Sequence, residues 1–329
     1  MRHLVEISEQ RYGPNHPEVA IRLNNLALLL EAMNRMEEAE PLMRRALEID
    51  EQSYGPSHPD LVIRLHNLAA LLRITDRLEE AEPLMRRALA INEQSYGPSH
   101  PAMVSEIFDF AQLLREMNRL AEAEPLMRRV LEIDEQDLGP SHPLVATRLT
   151  NLAQVLHATN RLEEAEPMLR RALEIFEQNY GPNHSEVGIC LNNIAELLKT
   201  ANRLAEAEPL LRRAIKIHEK SRGPMEPYLG VALNNLAELL QVTERRAEAE
   251  PLLRRALEMD NENFGPSDPT VAIRLNNLAS LLQDTNRLTE AEPMMRRALE
   301  IFEASLGREH PHSCIVRTNL EILQREMRR

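Results

Sequence analysis

Tryptophan is absent from the 329 residues and aromatic side chains make up only 3%, which leaves little ring surface to wall a small-molecule pocket. Glycine is scarce as well, ten in all, fewer than a globular enzyme of this length usually carries. Positive charge is outnumbered: 39 Lys and Arg face 52 Asp and Glu, for a net charge of −13. A nucleic-acid partner is therefore not expected, because phosphate binding needs clustered cations. No apolar run approaches the roughly eighteen residues of a membrane span, and the opening MRHLVEISEQRYG lacks the apolar stretch of a secretory signal. The two cysteines, Cys190 and Cys314, are too few and too scattered for a disulfide framework and fit a reducing compartment. These deficits point to a cytoplasmic protein that is not an enzyme on its own and does not enter a membrane.

What the chain does contain is a strict period. Gly13, Gly55, Gly97, Gly139, Gly181, Gly223, Gly265 and Gly307 are each 42 residues apart, and only Gly188 and Gly230 fall outside the series. All 21 prolines follow the same spacing: one column after the Gly, one after His or its substitute, and one in EAEP (Pro41 to Pro293). Such a chain is a linear array. Within each unit Val19, Leu23, Leu26, Ala27 and Leu30 recur at helical spacing, followed by a second such run, so each repeat holds two helices, A and B. Helix A should start at the GPxHP turn, capped by Asn15 or Ser57 with a Pro in the first turn, and end near Met33 with Asn34 as a left-handed cap. Helix B should run from about Met36 to Tyr54, with Glu37, Glu38 and Glu40 at its positive end and an i,i+4 pair Glu40–Arg44 in all seven units. Pro41 inside that stretch demands either a later start or a bend.

The expected organisation is one array over 1–329. It comprises a helix B fragment at 1–12, repeats at about 13–54, 55–96, 97–138, 139–180, 181–222, 223–264 and 265–306, and a C-terminal capping helix at 307–329. Arg2 to Tyr12 align with Arg44 to Tyr54, as in a piece taken from a longer array. In the last segment Arg317 and Glu321 replace recurring Leu and Ala, leaving Val316, Leu320, Leu323 and Met327 as a single apolar stripe suited to a capping helix.

The spacing Leu23, Leu26, Ala27, Leu30, Ala39, Met43, Ala46 resembles the tetratricopeptide pattern of paired helices, lengthened from 34 to 42 residues. Wording such as LNNLA, EAEPLMRRALEI and GPSHP is similar to the kinesin light chain type of that repeat. The resemblance implies an all-α, right-handed solenoid whose A helices line a concave groove that holds extended peptides, with inner-face asparagines bonding the peptide backbone. No a/d heptad run accompanies it, so a motor role does not follow.

Chemistry is otherwise sparse. Histidines 16, 58, 100, 142, 184 and 310 occupy equivalent turns of successive repeats, too far apart to share a metal ion, and read as turn residues ahead of Pro. No Gly-rich phosphate loop, nucleophile elbow or Ser/His/Asp set is present, and neither cofactor nor metal is expected. Variation among near-identical copies is more telling. The stripe Asn24, His66, Phe108, Thr150, Asn192, Asn234, Asn276 changes freely, as do Leu28 to Ser280 and the set Glu31, Arg73, Arg115, His157, Lys199, Gln241, Gln283. By contrast Asn25, Asn67, Asn151, Asn193, Asn235 and Asn277 depart only at Asp109. Two readings compete for that slot: a structural bond between neighbouring helices, or carboxamides offered to a peptide backbone. The candidate peptide-binding set is His66, Asn67, Arg73, Phe108, Asp109, Arg115, Thr150, Asn151, His157, Asn193 and Lys199. Phe108 is expected to point, largely exposed, into the groove above a basic stripe of Arg73, Arg115, His157 and Lys199. The expected partner is a protein or peptide carrying acidic and apolar residues. The alternatives are a sensor or assembly arm of a larger signalling NTPase or protease, and a self-associating structural array.

Overall fold

The computed structural model describes residues 1–221 and 227–328. Gly223, Pro224 and Glu226 of the repeating turn lie outside the described residues. Among the described residues sixteen α-helices and one 3-10 turn are found, and no strand. The helices are α1 (Arg2–Tyr12), α2 (Pro17–Ala32), α3 (Met36–Tyr54), α4 (Leu61–Ile74), α5 (Leu78–Tyr96), α6 (Val104–Glu116), α7 (Leu120–Leu138) and α8 (Pro143–Ala158). They continue with α9 (Leu162–Tyr180), α10 (Ser185–Thr200), α11 (Leu204–Ser221), α12 (Pro227–Val242), α13 (Arg246–Phe264), α14 (Pro269–Asp284), α15 (Leu288–Leu306) and α16 (Pro311–Met327). From α2 onward the even-numbered helices are the A type and the odd-numbered the B type. The chain forms two compact units, Met1–Thr159 and Asn160–Arg329.

In the first unit α2 packs on α3, α4 on α5 and α6 on α7, and each B helix packs in turn on the next A helix. The second unit is built the same way, α10 on α11, α12 on α13 and α14 on α15. The interior is aliphatic: Leu23, Met43, Leu65 and Leu68 in the first unit and Leu198, Leu211, Leu240 and Leu282 in the second are almost wholly withdrawn from water. Each such side chain is worth about 1.5–3 kcal/mol of burial. The Met and Leu that alternate in one B-helix slot therefore fill the core.

The turns follow from backbone chemistry. Asn34, Asp76, Asn118, Asn160, Asn202, Glu244 and Asn286 all adopt positive φ between the paired helices, the left-handed region that Asn tolerates best after Gly. After helix B, Gly55 sits at φ 88° and ψ 163°, a region essentially reserved for glycine. The cap of helix A corrects the sequence reading. His16 Nδ1 accepts from the Glu18 amide at 3.2 Å, and His58, His100, His142, His184 and His310 do the same for the amide two residues on. Asn15 and Ser57 are therefore not the caps. The imidazole sits one residue nearer the helix, ahead of Pro or, at His184, of Ser185, and fills the role that Asp268 takes in the repeat of α14. Four of these rings also lie against the preceding tyrosine, stacked in Tyr12–His16, with centroids 4.9 Å apart, and Tyr54–His58, and tilted in Tyr96–His100 and Tyr180–His184.

Helix α3 starts at Met36 and continues through Pro41, so a later start is ruled out. The Glu40–Arg44 pair forms in all seven repeats, and most are parts of larger rings. Arg44 also reaches Glu80, and Arg77 bridges both Glu40 and Glu80. Glu40 is held below its ordinary carboxylate range, chiefly by the Arg77 hydrogen bond and against the cost of burial. In α16 Val316, Leu320 and Leu323 are buried, whereas Met327 is exposed and leaves the expected apolar stripe.

A second inter-repeat lock is buried. Asp50 pairs with Arg64, Asp134 with Arg148 and Asp260 with Arg274, at 2.8–2.9 Å. Burial outweighs the attraction of the guanidinium and pushes the Asp50 and Asp260 carboxyls up. The same B-helix position also abuts the preceding A helix: at His218 the residue met there is Gly188, where a Cβ would lie 2.6 Å from His218 Nε2. Burial lowers the pKa of that imidazole. Gly188 and Gly230, outside the 42-residue series, are thus explained by close approach: Asp260 Oδ1 would be 2.7 Å from a Cβ at Gly230.

Candidate functional site

On each A helix the apolar residues Leu23, Ala27 and Leu30 turn inward, so residues 21, 24, 25, 28, 31 and 32 of α2 and their equivalents share the opposite face. On that face neighbouring A helices are linked by carboxamides. Asn67 Nδ2 donates to Asn24 Oδ1 at 3.0 Å in the first unit. In the second, Asn235 donates to Asn192 at 3.0 Å, Asn277 to Asn234 at 2.8 Å and Asn319 to Asn276 at 3.3 Å. At Asn67, Asn235 and Asn277, of the two readings left open for the repeated asparagine, the geometry supports the structural one. A carboxamide still has a second N–H and a carbonyl oxygen to offer once the ladder bond is made.

The ladder is interrupted between α4 and α8, where His66 and Phe108 occupy the acceptor slot and Asp109 and Asn151 the donor slot. His66 Nε2 lies 3.8 Å from Glu106 Oε1. Phe108 is half-buried against the core of the first unit, with the Arg148 guanidinium 4.2 Å from its ring centroid. This corrects the expectation of a largely exposed ring: the lost carboxamide bond is replaced by apolar packing and a cation–π contact. Thr150 is buried and its hydroxyl donates to Ala146 O at 2.9 Å in its own helix.

The basic stripe is largely neutralised. Arg73 makes a bidentate pair with Glu116, at 2.8 and 2.9 Å. Lys199 donates to Glu238 Oε2 at 2.8 Å and lies 2.8 Å from Glu196 Oε1. Burial opposes its charge, but those two carboxylates outweigh burial and hold the ammonium above its ordinary range. Arg115 differs: its Nη1 meets the neutral amide Gln154 Oε1 at 3.2 Å. His157 is half-buried near the end of α8. His66, Asn67, Arg73, Phe108, Asp109, Arg115, Thr150, Asn151 and His157 belong to the first unit, Asn193 and Lys199 to the second.

Sequence reasoning missed Arg148, Glu116, Gln154 and Glu238, the partners that decide what the named residues can do. The signal was present as an offset of 39 to 43 residues, one repeat plus or minus a fraction of a turn, between A-helix positions. An open depression of about 490 Å³ lined by α1, α2 and α3, among them Leu23, Leu26 and Leu42, holds none of the named residues. Among the described residues no group of His, Cys, Asp or Glu is arranged to hold a metal ion, and no helix is long and apolar enough to cross a membrane. Cys190 is buried, donates to Leu169 O at 3.3 Å, and has its thiol pushed up to about 12 by burial, which removes it as a nucleophile at neutral pH.

Paired helices stacked at a fixed period around an aliphatic core define a helical repeat array whose class acts by holding other proteins. The tetratricopeptide repeat pattern matches residues 1–52, 22–94, 60–136, 103–178, 149–220, 228–304 and 273–329. The chain belongs to the tetratricopeptide repeat family. Members of that family are non-catalytic scaffolds for protein–protein interaction. A kinesin light chain protein of Podosopora anserina with nearly identical repeats is 20% identical, with a TM-score of 0.52 over 63% of this chain and 98% of that one. BtubC of P. vanneervenii is 22% identical, TM-score 0.53, over 74% and 91%. A tetratricopeptide repeat protein of Parabacteroides merdae is 14% identical, TM-score 0.66, over 93% and 98%. These identities bear on the fold alone. Comparison with curated proteins gives no match.

Proposed function

We propose that the chain is a peptide-binding scaffold whose A-helix face in the first unit takes a partner segment carrying acidic and apolar residues. The observation that carries the reading is Arg115. Of the cations placed on this face it is the one held by an amide, so a partner carboxylate can displace Gln154 without first breaking an ion pair. Arg73 contributes less, because Glu116 already satisfies it in bidentate geometry. The half-buried Phe108 ring supplies apolar area beside the charge, and Asn67 and Asn151 are the carboxamides within the same face. Asn193 and Lys199 lie on the second unit, where Glu196 and Glu238 leave Lys199 no charge to offer an acidic partner.

The test is a fluorescence-anisotropy titration of the full chain with a labelled peptide in which Glu adjoins Phe or Leu. Binding should weaken as salt rises, and Arg115→Gln should weaken it by about tenfold, about 1.4 kcal/mol. Unchanged affinity in Arg115→Gln would remove the reading. Phe108→Ala is the poorer probe, since it also disturbs the Arg148 contact and the core.

A further inference from the structure

On the second unit's A-helix face, one slot is filled by an unbroken aliphatic series: Ile189, half-buried, then Val231, Ile273 and Ile315, all exposed. The equivalent slot of the first unit begins with exposed Ile21 and Ile63 but continues with Ser105 and Thr147. An aliphatic side chain left in water at every repeat is not needed for stacking, as Ser105 demonstrates. Seven residues on, the same face carries Glu196 and Glu238 sharing the single Lys199 ammonium, and Glu238 Oε1 also accepts from Asn234 at 2.7 Å. The face therefore offers a row of apolar contacts, one per repeat, beside a net negative charge.

The spacing of that row selects a ligand conformation. Packed helices lie about 8–10 Å apart. A polyproline II segment has three residues per turn and a rise of about 3.1 Å, so every third side chain returns to one face after roughly 9.3 Å. A β-strand repeats its face every second residue, after about 6.6–6.8 Å, and falls out of step with the row. Polyproline II also leaves its backbone polar groups unpaired, next to the carboxamides Asn235 and Asn319, which each spend one N–H on the ladder.

Resting on the reading of the chain as a peptide-binding array, we infer that the A-helix face of the second unit binds a polyproline II segment. That segment bears an aliphatic residue at every third position and a basic residue directed at Glu196 and Glu238. This ligand differs in charge and register from the one assigned to Arg115.

The probes are two labelled, proline-rich decapeptides of the same composition, each with Leu residues and one Arg. One has Leu at every third position, the other at every second. The full chain should bind the first about tenfold more tightly. Ile273→Ser and Val231→Ser, which copy the chain's own Ser105, should each cost several-fold in that affinity when binding is read well below the melting temperature, which both lower somewhat because each side chain is only about a third exposed. Ile315→Ser, at 54% exposure, should cost affinity with the smaller change in melting temperature. Glu238→Gln should remove most of the salt dependence. Should the every-second peptide bind as well or better, and still be lost in Ile273→Ser, the face binds peptide and the pitch argument is overturned. Should neither peptide bind, or should the serine variants bind both unchanged, this inference fails while the Arg115 titration independently decides the peptide-binding reading.

Discussion

The two compact units carry the same repeat and treat its A-helix face differently. In Asn160–Arg329 the asparagines bond in succession, Asn235 to Asn192, Asn277 to Asn234 and Asn319 to Asn276. In Met1–Thr159 the ladder has the single rung Asn67 to Asn24, after which Phe108 takes the acceptor position beneath Arg148. An inter-repeat contact of this array can therefore be exchanged for one of different chemistry, provided the neighbour at the matching offset changes with it. The buried B-helix position carries two contacts at once: Asp pairs with Arg of the following A helix at 50/64, 134/148 and 260/274, and His218 and Asp260 closely approach Gly188 and Gly230 of the preceding A helix.

The largest contrast should come from cutting those locks. Arg274→Ala strands the carboxylate of Asp260, whose side chain is 1% exposed, and should cost about 3–5 kcal/mol in urea unfolding. Arg148→Ala, whose partner Asp134 is at 7%, should cost less while increasing the exposure of Phe108; equal losses would refute the burial argument. Next, Gly188→Ala should destabilise by about 1–3 kcal/mol through the clash with His218, although alanine is the better helix former by about 1 kcal/mol. In the ladder itself, Asn277→Ala should cost about 1 kcal/mol, and Asn151→Ala, set against Phe108, close to nothing. Similar losses at both would mean the interruption is energetically empty.

Acid should act on both units alike. The carboxyls of Glu40 and Glu250 are held below the ordinary 4.5 by their hydrogen bonds to Arg77 and Arg287 foremost. Their contribution is fully present above about pH 4.5 and is lost as pH falls through their lower folded values. Asp50 and Asp260, raised by burial, work in the opposite direction, favouring the fold at the acid end of their window and losing that contribution as pH rises through it. The glutamates being more numerous, thermal melts from pH 6 down to pH 3 should show net destabilisation, each partly buried ring contributing a few tenths of a kcal/mol. The smallest effect should be a gain. Glu244 occupies the positive-φ turn that asparagine holds in five of the other six repeats, and Glu244→Asn should stabilise by about 0.5 kcal/mol.

Much of the fold was legible because it is local and repeated. Gly55 ends a helix by its φ wherever it stands, Asn34 turns left-handed next to its own helix, and Leu23, Leu26, Ala27 and Leu30 lie on one stripe whatever they pack against. The cap was misplaced by one residue because imidazole is not the usual capping group, and its Nδ1 competes with Asn15 only in the actual turn geometry. The candidate site was legible as a set of positions and not as a set of states. Helical spacing assigned Arg73, Lys199 and Phe108 to corresponding slots of their own A helices. Whether Arg73 is available depends on Glu116 at an offset of 43, whether Phe108 is exposed depends on Arg148, and whether Lys199 is a net positive charge depends on Glu196 and Glu238.

Sequence alone determined the period, the helix pairs, the turn conformations and the inward stripe, since these are set by backbone sterics and side-chain spacing within a few residues. Tertiary structure decided which polar groups are already satisfied, because a hydrogen bond or ion pair depends on distances of a fraction of an ångström between helices forty residues apart, and no periodicity within one helix carries that information.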